Sequence, residues 1–210
     1  MIDLKVKVTF DEEVLGTACG NPEVHKEYIA SNAPDALSMK EEVEAIGTEE
    51  VFEKSMTVFP RENGKPFVFD YQWKGAFKDA FASLKKVPGT ACSKIRAYKK
   101  EIDGLIFVFP RKIFIDFNNN DENVGICQRP LRASTPQGER VALASSETVP
   151  EGSSMTFTIK MLTDEHEAAV LEALDYGCLR GFGQWRNSGK GRFHYEILER
   201  KCSKYNGASE

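Results

Sequence analysis

Thirteen residues near the end of the chain, Gly181-Phe-Gly-Gln-Trp-Arg-Asn-Ser-Gly-Lys-Gly-Arg-Phe193, carry the side chains best suited to holding a polyanion. Gly181, Gly183, Gly189 and Gly191 permit positive φ and let backbone N–H groups approach a phosphate closely. Arg186, Lys190 and Arg192 supply charge. Trp185 supplies a flat face on which an unpaired base can stack, because an aromatic in a glycine-rich loop has little core to enter. The combination points to single-stranded nucleic acid. The same composition also describes a flexible basic turn, and Trp185 could instead pack a loop or a neighbouring subunit.

Other basic residues could extend such a site. Lys74 and Lys78 stand at a helix start, and Arg129 and Arg132 lie in a basic stretch over 129–144 that reads as irregular. Their expected role is phosphate neutralisation, which is blind to sequence. Catalysis has thinner support. A metal-free ribonuclease needs a general base within hydrogen-bond reach of a 2′-hydroxyl. His166 and His194 read as surface residues. The five cysteines form no C-x-x-C pair, so neither a metal site nor a cofactor is expected, and the thiols read as reduced in a cytoplasmic protein.

Charge is distributed unevenly around a net −4. Asp35–Glu53 is acid-rich with a single lysine, whereas Lys85–Lys100 holds six basic residues and no acid, and Arg180–Arg192 holds four and no acid. Basic faces on an acidic body fit a selective polyanion site and argue against indiscriminate nucleic-acid binding. No run of 18 apolar residues marks a membrane span.

The elements that must position these groups follow from periodicity. Ile2, Leu4, Val6, Val8 and Phe10 alternate with polar residues, as in a half-buried strand. Ser38 with Glu41, and then Thr48, suggest helix starts. Glu62-Asn63-Gly64-Lys65 reads as a hairpin turn. Trp73, Ala76, Phe77, Ala80, Phe81 and Leu84 recur at helical spacing and form a core stripe. Two strands flank Pro110, and a further strand covers Met155–Met161. Thr163 is placed to cap a helix lined by Val170, Leu171, Leu174 and Cys178 and closed near Gly177. Phe193, Tyr195 and Ile197 give a last strand. The order reduces to β-α-β-β-α-β: an α+β, ferredoxin-like or RRM-like antiparallel sheet with helices on one face. One domain over residues 1–200 is expected, with insertions near 16–56 and 117–148 and a polar tail at 201–210.

Three segments in this order resemble the RAMP superfamily, the repeat-associated proteins of CRISPR effector complexes. The glycine loop matches its hydrophobic-Gly-x-Gly … Gly-x-Gly-aromatic pattern at Gly181, Gly183, Gly189, Gly191 and Phe193. Thr148-Val-Pro-Glu-Gly-Ser-Ser-Met-Thr-Phe-Thr-Ile159 resembles its strand entry, and Lys74-Gly75-Ala76, with Lys78, its helix start. Gln72-Trp73 depart from that pattern, standing where the family has small residues. The likeness is nearest to backbone-type subunits of type III effectors. It implies a non-catalytic, guide-RNA-binding scaffold subunit that contacts other effector subunits or copies of itself. Two alternatives stay open: a phage or mobile-element protein that engages or inhibits host defence machinery, and a metal-independent guide-processing endoribonuclease. For cleavage the resemblance implies His25 as a candidate, in the N-terminal loop where some RNA-processing members place a general base, and Asp116 or Asp121, beside the polar run Asn118–Asn123, where some backbone subunits use a loop aspartate.

Overall fold

The computed structural model describes residues 1–19, 56–118, 124–135 and 138–203. His25, Asp121, the acidic run 35–53 and the helix starts read at Ser38 and Thr48 lie outside them. In chain order the strands are β1 (Ile2–Phe10), β2 (Val14–Leu15), β3 (Ala18–Cys19), β4 (Thr57–Val58), β5 (Arg61–Glu62) and β6 (Lys65–Phe69). Helices α1 (Asp70–Leu84), α2 (Ala91–Lys94) and α3 (Tyr98–Leu105) follow, then β7 (Ile106–Phe109), β8 (Lys112–Asp116), β9 (Gly125–Thr135) and β10 (Gly138–Val149). The chain continues with β11 (Ser154–Met161), α4 (Glu167–Arg180) and β12 (Phe193–Cys202).

The β-α-β-β-α-β reading holds. The main sheet runs β12-β1-β11-β8-β6-β5, with β7 also on β11. β1 lies antiparallel between β12 and β11. The alternation in β1 exists because one face of this central strand is sealed: Ile2, Leu4, Val6, Val8 and Phe10 are all buried. β7 and β8 together fill the second-strand position of the motif. They divide at the cis Phe109–Pro110 peptide, after which β8 turns towards β6. The β5–β6 hairpin turns through Asn63 and Gly64, both at positive φ.

Helices α1 and α4 cover the sealed face. The aromatic stripe of α1 is core, with Trp73, Phe77, Ala80 and Phe81 buried; Ala169, Val170, Ala173 and Leu174 answer from α4. Trp73 lies at the centre, 4.4 Å from the Phe182 ring in a stacked pair and 4.5 Å from Phe157. The Tyr176 hydroxyl donates to Ser83 Oγ at 3.1 Å and the Cys92 thiol to the Ala169 carbonyl at 3.4 Å. Burial, with the Glu172 carboxylate beside it, pushes the Cys92 thiol up to about 12, so it stays protonated at neutral pH.

Four local readings are corrected. Residues 129–144 are not irregular: β9 and β10 form one long antiparallel hairpin, in register from Gly125↔Thr148 to Thr135↔Gly138. Helix α4 passes through Gly177 and ends at Gly181, where φ is +84°. Gly177 is small for a packing reason, since a Cβ there would lie 2.8 Å from the Phe193 ring. Thr163 holds the N-cap position of the 3-10 turn Asp164–His166 that leads into α4, but its hydroxyl bonds His166 Nδ1 at 2.5 Å instead of a backbone N–H. His166 is buried rather than superficial, and its Nε2 meets Glu101 Oε2 at 2.8 Å, tying α3 to the start of α4.

Candidate nucleic-acid interface

The end of α4 delivers the glycine loop against the core. Phe182 is buried on Trp73, and its N–H donates to the Gly191 carbonyl at 2.8 Å. This two-sided closure sets what Gly191 must be. It sits at φ +71°, and a Cβ would fall 1.9 Å from the Phe182 carbonyl oxygen. Gly183 likewise lies against the Leu15 carbonyl, 2.9 Å from where its Cβ would be. The loop is therefore held by the chain's own backbone and by the segment after β1: Gly191 N–H donates to the Glu13 carbonyl, and Asp11 N–H to that of Arg192, each at 2.9 Å. Gln72, at the start of α1, joins the same cluster. It accepts from Phe69 N–H at 2.9 Å and donates to Thr17 Oγ1.

Trp185 is the outward face of this loop. It is 41% exposed and holds a left-handed conformation, φ 55°, at the entry to the short 3-10 turn Arg186–Ser188. Bulky residues seldom adopt that region unless their surroundings enforce it. Beneath the ring, 5.2 Å from its centroid, lies the Arg129 guanidinium. Arg129 is itself only 7% exposed and donates to Ser146 Oγ at 3.1 Å and to Gln184 Oε1 at 2.9 Å. The network runs on: Ser146 Oγ bonds Thr57 Oγ1 at 2.7 Å, and Glu147 accepts from Phe59 N–H and Arg61, both at 2.8 Å. One buried guanidinium thus joins the glycine loop to the base of the β9–β10 hairpin.

Three of the seven basic residues named as contacts in the sequence, Lys78, Arg186 and Lys190, already have acidic partners. Arg186 meets Asp79 at 2.8 Å, with Arg180 on the same carboxylate at 3.5 Å. Lys190 pairs with Glu13, whose hydrogen bond raises the pKa of that lysine. Lys78 meets Asp103 at 2.6 Å. Lys74 lies in the second turn of α1 rather than at its start. It reaches the Asp103 carbonyl at 3.4 Å over the Phe107 ring, and burial lowers its pKa. Lys74 and Lys78 thus serve the α1–α3 contact. Arg192 is exposed and has no ion-pair partner among the described residues. Arg132 lies in β9 opposite Val141.

The structure brings Arg129, Trp185, Arg186, Lys190, Arg192 and the four glycines together and leaves Lys74 and Lys78 on the α3 side of α1. Asp116 ends β8, exposed and opposite Ser154. Among the described residues no group of His, Cys, Asp or Glu side chains gathers as a metal ion would require, and no helix is long and apolar enough to cross a membrane. Sequence reasoning missed Gln184, Ser146 and Glu147, which orient the site, and the carboxylates Asp79, Glu13 and Asp103. Nothing local marks these residues, because each acts on a segment distant in the chain.

No family model matches the chain, and no curated protein matches it. Among solved structures it is similar to a chain of the type III-B Cmr-beta complex bound to cognate target RNA. The TM-score is 0.54 at 10% identity, covering 95% of this chain and 60% of that one. It is also similar to a chain of a type IV-B CRISPR complex, at TM-score 0.45 and 12% identity over 99% of this chain and 93% of that one. This chain therefore spans three-fifths of the Cmr-beta chain, and at such identity the likeness is one of fold. The protein has an α+β, ferredoxin-like fold shared with a chain of an RNA-bound type III-B CRISPR complex.

Proposed function

We propose that this chain is a RAMP-type, RNA-binding subunit of a CRISPR-type ribonucleoprotein assembly, cytoplasmic and scaffolding rather than catalytic. The observation that carries the reading is Trp185. An exposed indole, fixed in a left-handed backbone on a buried arginine, is a ready platform for an unpaired base. A base stacked on its outer face would complete a layer of base, indole and guanidinium. Arg192 is free to take a phosphate. Arg186 and Lys190 are partly exposed and can exchange an acidic partner for one. The fold shared with a chain of an RNA-bound complex supports this reading, as does the gathering of Arg129, Trp185, Arg186, Lys190 and Arg192 around the glycine loop.

Fluorescence anisotropy with labelled single-stranded RNA tests it. Trp185→Ala should weaken binding by about 1–3 kcal/mol, or roughly 5- to 150-fold. Arg192→Gln should weaken binding to every sequence alike and flatten the salt dependence by about 0.7 in log–log slope. Wild-type affinity in both variants would remove the loop from the interface.

A further inference from the structure

Among the described residues, the largest group of cations without acidic partners is not at the glycine loop. Lys85, Lys86, Lys94, Arg96, Lys99 and Lys100 are all exposed, and none has an ion-pair partner among the described residues. The fold brings them together from the end of α1, from α2 and from the start of α3. Lys85 Nζ donates to the Arg96 carbonyl at 2.8 Å and lies over the Tyr98 ring. The nearby carboxylates are committed elsewhere. Glu172 accepts from the N–H groups of Ala91 and Cys92 at 2.7 and 3.0 Å, although Lys94 lies close enough to help lower its pKa. Glu101 holds His166, and Asp103 holds Lys78.

Local stability does not account for this grouping. Lys85 and Lys86 follow the C-terminus of α1, where a helix dipole favours cations. Lys99 and Lys100 occupy the first turn of α3, where it disfavours them. Like charges so gathered repel, and a polyanion relieves that repulsion. α1 and α4 run antiparallel: Trp73 packs by Phe182 just beyond the end of α4, Ser83 meets Tyr176, and Cys92 meets Ala169 nearer the start of α4. The cluster thus sits at the far end of the helical layer from the glycine loop.

We infer that Lys85–Lys100 is a second polyanion surface, which takes the phosphodiester backbone of a nucleic-acid strand independently of the glycine loop. A protein partner would want an apolar centre, and the cluster offers only the exposed Val87. Tyr98 is half-buried beneath Lys85, so no free ring reads a base, and the contact is blind to sequence. Only the identity of the polyanion rests on the proposed RNA-binding role.

The test measures binding of the full chain to a mixed-sequence single-stranded RNA across a salt series. The variant combines Lys86→Gln, Lys94→Gln, Lys99→Gln and Lys100→Gln, exposed positions whose side chains make no hydrogen bond or ion pair among the described residues, and its thermal melting should match wild type. Losing four phosphate contacts should flatten the log–log salt slope by about 3, whereas Trp185→Ala leaves the slope unchanged. An unchanged slope in the quadruple variant overturns the second surface and leaves the Trp185 reading standing. A flattened slope with full-strength binding by Trp185→Ala supports the surface and removes that reading. No binding by wild type at low salt overturns both. Displacement of the RNA by oligo-glutamate of matched charge overturns the nucleic-acid assignment in favour of an acidic protein.

Discussion

Trp73→Ala should lower stability by about 3–5 kcal/mol, the usual range for removing a large buried aromatic. For a chain of this size that moves the melting temperature down by about 6–20 °C. The reason is the position of Trp73 between two structural layers. It is 1% exposed, contacts Phe157 on β11, and stacks on Phe182 of the glycine loop. Its loss leaves a cavity that the sheet cannot close, and it also detaches the loop from the core. Trp73→Phe should be far milder. It retains a stacked ring and removes the indole N–H, which is buried without a hydrogen-bond partner among the described residues. Thermal or urea unfolding monitored by circular dichroism checks both variants. Equal melting of Trp73→Ala and wild type would mean that Trp73 is not central to the core.

Gly191→Ala should have an effect of similar size through a different cause. Holding an alanine in the left-handed region adds about 1–2 kcal/mol of strain. Its Cβ would fall 1.9 Å from the Phe182 carbonyl oxygen, so backbone must move, and overpacking of this kind adds about 1–3 kcal/mol. The displaced groups are those that close the loop, so RNA affinity should fall together with stability. Gly189→Ala provides the comparison. Its φ is also positive, at +88°, yet its Cβ would meet nothing nearer than Arg192 Cζ at 3.8 Å. Gly189→Ala should therefore cost only the backbone strain and leave the loop closed. Unfolding curves and anisotropy on both variants decide this, and equal behaviour of the two would contradict the account of loop closure.

The parts of the fold legible in the sequence are those whose pattern reflects a single buried face. β1, β11 and the α1 stripe each pack one side against one core, so their periods of two and 3.6 survive in the residues. The β9–β10 hairpin has no such signal. Its regularity comes from backbone pairing between the two strands, and Pro130 and Gly125 within β9 read as breaks. Gly177 and Gly181 show a related limit. Both suit a helix end, but only the Phe193 ring packed on Gly177 explains why the first is not one.

At the site, sequence reading found the cations and the indole but not what holds them. Arg186 and Asp79 are 107 residues apart, and Arg129 and Gln184 are 55 apart. A run of like charge in one dimension cannot show that its members are neutralised in three. That is why Lys190, conspicuous in the sequence, is paired, while the Lys85–Lys100 run is left without acid partners among the described residues.

The most direct measurement is tryptophan fluorescence during titration with a short single-stranded RNA. The chain has two tryptophans, one buried and one exposed, so the solvent-exposed component of the emission reports on Trp185. Stacking of a base on the indole predicts saturable quenching of that component, absent in Trp185→Phe, with the buried Trp73 emission unchanged. Saturable binding by anisotropy without quenching would contradict the account, because RNA would then engage the protein elsewhere than on Trp185.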